Sequence, residues 1–392
     1  MVKLTSIKRK LSKAKFKFNG SKMTNYSSFA NGGITLIKPY QAGKPIEEVQ
    51  RQLGLKDVIK LASNENPFGM GPKAKAAALA CVENANLYPD SNGYYLKQKL
   101  QQKFSYNPNK ITLGAGSNEL INLLFAAFVN EKVNVVFPEY SFVVYPMETT
   151  VNGAKAKVIP LKDYNADLDA ILEAIDENTR IVAFANPSNP IGTAISSKSM
   201  YEFLKKVPKQ TLVVIDEAYN EFNSGDDTYQ DSAKWTDEFE NLVISRTFSK
   251  AYGLAGLRVG YMIANEEITS ILNRLRAPFN VNIVALAAAT AALDDEEFLQ
   301  KTVNNNTKER ARYEQFCKAH NLFMIPSKAN FVAIDFKGYD AQKIADKLLH
   351  KGVIVRPLLG YKLKDILRVS IGTESENDRF FTTLEAILKE ER

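Results

Sequence analysis

The chain has 392 residues, of which 45% are hydrophobic and 24% charged, and a formal net charge of +7. That length can bury a large core and suggests two or three domains, while no run approaches the roughly 20 apolar residues of a membrane span. Two cysteines, Cys81 and Cys317, make no disulfide framework and fit a reducing cytoplasm. Two histidines, His320 and His350, lie outside any recognisable motif, which argues against a Ser/His/Asp triad or a His-ligated metal.

The charge is uneven along the chain. Residues 1 to 46 hold ten Lys/Arg and no Asp/Glu, and the other 346 hold 41 basic and 44 acidic residues, a net of −3. Residues 1–35 therefore read as a basic arm centred on Lys8 to Phe18, and like-charge blocks of this kind stay solvated and disordered. Touching DNA or a membrane surface, or acting as a transit peptide, is the alternative use of such an arm. A further reading starts translation at Met23. No helix-turn-helix fits its few periodic apolar positions, and neither nucleic acid nor membrane is expected as a partner.

After the arm, residues 36–60 read as a segment packing with a small domain or a partner chain, with a helix at Ile46 to Leu53 and a strand near Val58 to Leu61. Helices follow at Lys73 to Val82, Gly93 to Lys103 and Glu119 to Phe128. Strands are expected at Ile111 to Leu113, Asn134 to Phe137, Lys157 to Pro160, Arg180 to Ala185, Thr211 to Ile215, Asn241 to Arg246 and Arg258 to Ala264. Strands alternating with helices imply a doubly wound α/β sheet, three layers deep and mostly parallel. The Gly260 strand follows its predecessor too closely for a crossover and should run antiparallel. Glu267 to Arg276 and Ile283 to Leu293 read as helices that complete a large domain over 61–293. Glu296 to Ala319 is a long helix bridging the domains, within 294–321. A smaller α+β domain over 322–392 has strands near Asn330 to Ile334, Val353 to Val355 and Ile366 to Val369. Its helices are Ala341 to Leu349 and Glu376 to Lys389.

The chemistry concentrates in Ser245 to Gly260, where Lys250 sits among hydroxyls and small residues and Arg258 follows eight positions later. An exposed lysine is protonated and a poor nucleophile, whereas one that is desolvated or near other cations can lose its proton and bond an aldehyde. Thr247, Ser249 and Arg258 offer a phosphate two hydroxyls and a forked cation. An aldehyde-bonding lysine beside a phosphate grip points to pyridoxal phosphate. Upstream, the apolar run Leu212 to Ile215 ends in Asp216-Glu217, at the strand end where open α/β sheets bind ligands. A carboxylate there can keep a pyridine nitrogen protonated, and Tyr219 can bond the ring hydroxyl. The plainer reading of the acid pair is a solvated helix cap. Between two Asn-Pro pairs, Asn189 can reach a ring hydroxyl or a substrate carboxylate.

From about Leu36 onward the chain resembles the fold-type-I, class II pyridoxal-phosphate aminotransferases, and among them histidinol-phosphate aminotransferase. The matching segments are Lys38-Pro39-Tyr40-Gln41, Leu61 to Pro67, Tyr88-Pro89-Asp90, Gly114 to Glu119 and Asn186 to Gly192. They continue with Asp216 to Tyr219, Lys250 to Arg258, Val355-Arg356-Pro357 and Leu367 to Thr373. The resemblance implies an aspartate-aminotransferase-like fold. It makes Lys250 the Schiff-base lysine and proton shuttle, Asp216 the pyridine-nitrogen partner, and Asn189 with Tyr219 the ring-hydroxyl pair. Ser117 and Asn118 would start the phosphate-binding helix, with Thr247, Ser249 and Arg258 completing the cup. Tyr88 would reach the phosphate of a neighbouring subunit, which implies a homodimer. The family's Pro-x-aromatic-x-x-Tyr pattern is shifted in Pro138 to Tyr145, so either Phe142, which keeps its spacing to Tyr145, or Tyr140 stacks on the ring; we favour Phe142. Arg368 resembles the α-carboxylate clamp, and Arg356 and Tyr40 resemble the residues holding the substrate phosphate.

The implied activity is ping-pong transfer of an amino group between histidinol phosphate or imidazole acetol phosphate and glutamate or 2-oxoglutarate, in cytoplasmic histidine biosynthesis. The alternatives are an aromatic amino-acid aminotransferase, a decarboxylase of a phosphorylated threonine, and a non-enzymatic ligand-sensing domain. No metal is expected.

Overall fold

Apolar strands that end in acids, hydroxyls and asparagines build the centre of the molecule. The computed structural model describes residues 25–30, 32–39, 43–223 and 229–391; most of the basic arm and Tyr40 lie outside them. A seven-stranded sheet takes the order Ile111–Gly114, Gly260–Ile263, Leu242–Thr247, Leu212–Asp216, Thr179–Ala185, Asn134–Pro138, Lys155–Ile159. All neighbours are parallel except Gly260–Ile263, which runs antiparallel to both of its partners, as its short connection requires.

Alternate residues of the central strands serve opposite faces. Val136, Val182, Val213, Ile215 and Ile244 join the core on one side. Val135, Ile181, Ala183, Val214 and Val243 join Leu120, Leu124 and Phe125 of the helix Ser117–Phe128 on the other. Burial on both faces is why these strands read as continuous apolar runs, and each fully buried Val or Ile adds about 1.5–3 kcal/mol of transfer free energy.

A separate core forms around a four-stranded antiparallel sheet, ordered Phe323–Ile325, Phe331–Asp335, Leu363–Ser370, Arg356–Leu358. The helix Glu296–Ala319 contacts both parts: Asn66, which also donates to the Ala251 carbonyl beside Lys250, donates to its Thr302 at 3.2 Å, and its Tyr313 donates to Asn377 at 3.0 Å. The expected single strand at 353–355 is in fact two. Val353–Ile354 pairs with Ile59–Lys60, and the chain then crosses to join Leu363–Ser370. Composition carries no signal for that change of partner. The helix Val144–Val151 is also absent from the sequence reading, because Val, Thr and Pro146 disguise it. Proline is tolerated there because the first turn has no partner for the missing N–H.

Candidate active site

Two neighbouring strand ends place the reactive groups. Asp216 closes one strand and lies opposite Ser245 of the next, which delivers Thr247, Ser249 and Lys250 a few residues further on. Asp216 is 4% exposed, and the hydrogen bond its carboxylate accepts comes from the Ala218 N–H at 3.2 Å. Burial, with Glu217 adding repulsion, pushes its carboxyl up to about 7. A buried carboxylate in that condition suits a ligand that brings a positive N–H.

Lys250 Nζ donates to the Ser63 carbonyl at 3.3 Å and lies 5.8 Å from the centre of the Tyr219 ring. Desolvation, reinforced by the Arg368 and Arg258 charges, lowers its ammonium to about 8. The neutral amine needed to bond an aldehyde is therefore accessible near neutral pH.

Tyr219 is buried, and its hydroxyl accepts from Asn189 and from Asn64, each at 3.0 Å. Burial raises the phenol to about 12, so it stays protonated. Asn189 in turn accepts from Arg368 at 2.7 Å, and the second arm of that guanidinium reaches the Ala62 carbonyl at 2.9 Å. The structure thus joins Asn189, Tyr219 and Arg368 directly. It adds Asn64 and Ser63 of the Leu61 to Pro67 segment, whose roles no local pattern signals.

An anion cradle lies at the start of the helix Ser117–Phe128. Its N-cap is Gly116 at φ +88°, which makes no side-chain cap. A Cβ on Gly116 would collide with the Arg258 guanidinium, and one on Gly260 would sit 2.8 Å from the Ser117 nitrogen. Glycine at both positions keeps open the space that Ser117 and Asn118 border. Arg258 reaches Ser249 Oγ at 3.3 Å, and Thr247 donates to the same oxygen at 2.9 Å. Helix N–H groups, two hydroxyls and a forked cation converge as a phosphate requires. With Lys250 and Asp216, this donor set fits a phosphorylated pyridine aldehyde.

Phe142 borders a cleft together with Asn118, next to the cradle, and meets Tyr145 edge-on at 6.0 Å. Tyr140, at φ +53°, packs against the apolar cluster that contains Ile191, Leu358 and Ile366, and lines a separate cavity with Asn189. Arg356 is half-buried and directly opposite Arg368 in the antiparallel pair, so both side chains occupy one face of the sheet. Tyr88 is 82% exposed and stacks on Phe279, itself exposed, at 4.7 Å. Glu217 corrects the solvated-cap reading of the acid pair. It is buried and takes two hydrogen bonds from Arg246, at 2.6 and 2.8 Å, and Arg246 also binds Asp231 and Tyr106. Among the described residues no helix is long and apolar enough to cross a membrane, and no His/Cys/Asp/Glu group could hold a metal ion.

A lysine, a buried acid and a phosphate cradle at the strand ends of a doubly wound sheet define the site of a pyridoxal-phosphate-dependent enzyme. The chain belongs to the aminotransferase class I and II family, whose model matches residues 56–384, and within it to the histidinol-phosphate aminotransferases. It is 48% identical to Histidinol-phosphate aminotransferase 2 of Haemophilus influenzae (strain 86-028NP) over 364 residues, 93% of this chain and 99% of that one. The crystal structure of histidinol-phosphate aminotransferase from Sinorhizobium meliloti in complex with pyridoxal-5'-phosphate superimposes with a TM-score of 0.85 at 28% identity. It covers 92% of this chain and 98% of the other. An aspartate aminotransferase double mutant from Thermus thermophilus, 18% identical, shares the fold, with a TM-score of 0.78 over 91% of this chain and 98% of the other.

Proposed function

We propose that the chain holds pyridoxal phosphate at Lys250 and moves an amino group between histidinol phosphate or imidazole acetol phosphate and glutamate or 2-oxoglutarate, in histidine biosynthesis. The observation that carries the substrate reading is the facing pair Arg356 and Arg368. Two guanidinium groups on one sheet face suit a substrate that carries two spaced anionic groups. Arg368 takes the α-carboxylate of glutamate. Arg356 takes the distal carboxylate in that half-reaction and the phosphate of histidinol phosphate, which has no α-carboxylate, in the other. The 48% identity to a histidinol-phosphate aminotransferase supports the same assignment.

When bound, the cofactor supplies an aldehyde for the amine and a ring that takes up the electron pair left at the substrate carbon. The residues do the rest. Asp216 keeps the ring nitrogen protonated, which relieves its own buried charge. Tyr219 and Asn189 hold the ring hydroxyl. Ser117, Asn118, Thr247, Ser249 and Arg258 hold the phosphate, and Phe142 covers the ring. Lys250 Nζ would take the proton from the amine-bearing carbon of the substrate and deliver it to the carbon that had been the cofactor's aldehyde carbon. We further propose a homodimer in which a second copy covers the exposed Tyr88–Phe279 stack, and Tyr88 of the partner subunit completes the phosphate cup.

The test is a single-turnover spectrum of the holoprotein mixed separately with histidinol phosphate, glutamate and phenylalanine. Fast conversion of the cofactor absorbance by the first two, with phenylalanine slow, is the expected result. Phenylalanine reacting at a comparable or higher rate would make the protein an aromatic aminotransferase instead.

A further inference from the structure

We infer that Asn64 and Ser370 form a hydrogen-bonded clamp that points the Tyr219 phenol proton toward the cofactor ring, making Asn64 a positioning residue for the reaction. The inference rests on the cofactor reading above. A phenol oxygen has two lone pairs and one proton. In Tyr219 both lone pairs are taken, by Asn64 Nδ2 and Asn189 Nδ2, each at 3.0 Å. The phenol can then only donate, and its proton is left for a third group. Burial keeps that proton in place by raising the phenol to about 12.

The direction of the Asn64 amide is itself fixed. Ser370 Oγ accepts the Asn64 backbone N–H at 2.8 Å and donates its own hydrogen to Asn64 Oδ1 at 3.0 Å. A flipped amide would turn its N–H toward Ser370 Oγ, deprive the Ser370 hydroxyl hydrogen of its acceptor, and set an acceptor against Tyr219. The bonds therefore run one way, from Ser370 through the Asn64 amide to the phenol. Asn64 holds φ +55°, a region asparagine and aspartate enter more readily than other side chains. Asn330 secures the Asn64 carbonyl at 3.1 Å without touching the amide.

The clamp also sits where both halves of the site meet. Ser370 lies two residues beyond Arg368 on the same strand, and its N–H donates to Leu61 O at 2.9 Å. Arg368 holds Ala62 O, and Lys250 holds Ser63 O. Residues 61–64 thus touch the strand of the carboxylate-binding arginine, that arginine, the lysine and the phenol. Displacing this segment would misplace all of them, whereas reversing the Asn64 amide alters only the phenol.

The test is the pH midpoint of the visible absorbance of the purified holoprotein, measured without substrate, in three variants. Asn64→Asp keeps the shape and the tolerated backbone but offers the phenol an acceptor, so the phenol turns away from the ring oxygen. Losing a hydrogen bond to that charged oxygen should raise the midpoint by about one to two pH units. Ser370→Ala releases the amide with no change of charge and should raise it by a smaller amount in the same direction. Asn330→Ala removes a buried hydrogen bond to the same residue and should leave the midpoint at the wild-type value. If Asn64→Asp and Ser370→Ala keep the wild-type midpoint, or if Asn330→Ala moves it as far as Ser370→Ala does, the clamp has no such role. Failure of the wild-type chain to develop a visible band with pyridoxal phosphate would overturn the cofactor reading, and the clamp with it.

Discussion

Asp216→Asn separates what the buried carboxylate costs the cofactor-free fold from what it does for the cofactor. Its carboxyl moves from 3.8 to about 7 in the folded chain, chiefly through burial. That corresponds to roughly 4 kcal/mol of bias against the charged form. The sign follows from linkage. A carboxyl whose folded value lies above its unfolded value binds more protons folded than unfolded, so raising the pH costs stability. The stability is intact below the unfolded value near 3.8 and is lost as pH rises through about 7. Asparagine has nearly the same shape, can still accept the Ala218 N–H, and cannot ionise. Cofactor-free Asp216→Asn should therefore match wild type near pH 4 and exceed it at pH 8.5, by an amount on the order of 4 kcal/mol.

The assay is urea denaturation of the cofactor-stripped protein at fixed chain concentration, since subunit association also shifts apparent stability. The same variant should bind pyridoxal phosphate more weakly than wild type above pH 7, because the ring nitrogen loses its anionic partner. A variant that is less stable than wild type at pH 8.5, or pH profiles that run parallel, would show that Asp216 is not an unrelieved buried charge. The argument that its burial awaits a cationic ring nitrogen would then fail.

Arg246→Met should cost about 3–5 kcal/mol in the same denaturation assay, because it leaves Glu217 buried without its cation; a loss below about 1 kcal/mol would contradict this. Phe142→Ala should weaken pyridoxal phosphate binding by about tenfold, while Tyr140→Ala, at the edge of the apolar cluster around Ile191 and Leu358, should leave it near wild type. The reverse order in a cofactor titration would move the stacking role to Tyr140. Arg356→Ala should lower kcat/KM for histidinol phosphate and glutamate by about 10- to 100-fold and spare aromatic monocarboxylates. Equal losses on all of them would remove Arg356 from the distal anion.

The alternation of strands and helices was readable because burial on both faces writes apolar runs of the right length, and the antiparallel strand was readable from the shortness of its loop. Lys250, Thr247, Ser249 and Arg258 were readable for a related reason: they lie within a dozen residues of one another, so their chemistry shows as a single stretch of text. What stayed hidden depends on distance along the chain. Asn64 lies 155 residues from the phenol it supports and 306 from Ser370, and nothing local distinguishes it from an ordinary loop asparagine. Glu217 is the instructive intermediate. A carboxylate at the end of a buried strand needs a cation or must surface, and Arg246 stands one residue past the partner of Asp216 on the adjacent strand. The pair could have been inferred once those two strands were known to be neighbours. Each strand's text, read alone, names only half of the ion pair, so it is sheet order that converts a seemingly solvated acid into a buried one.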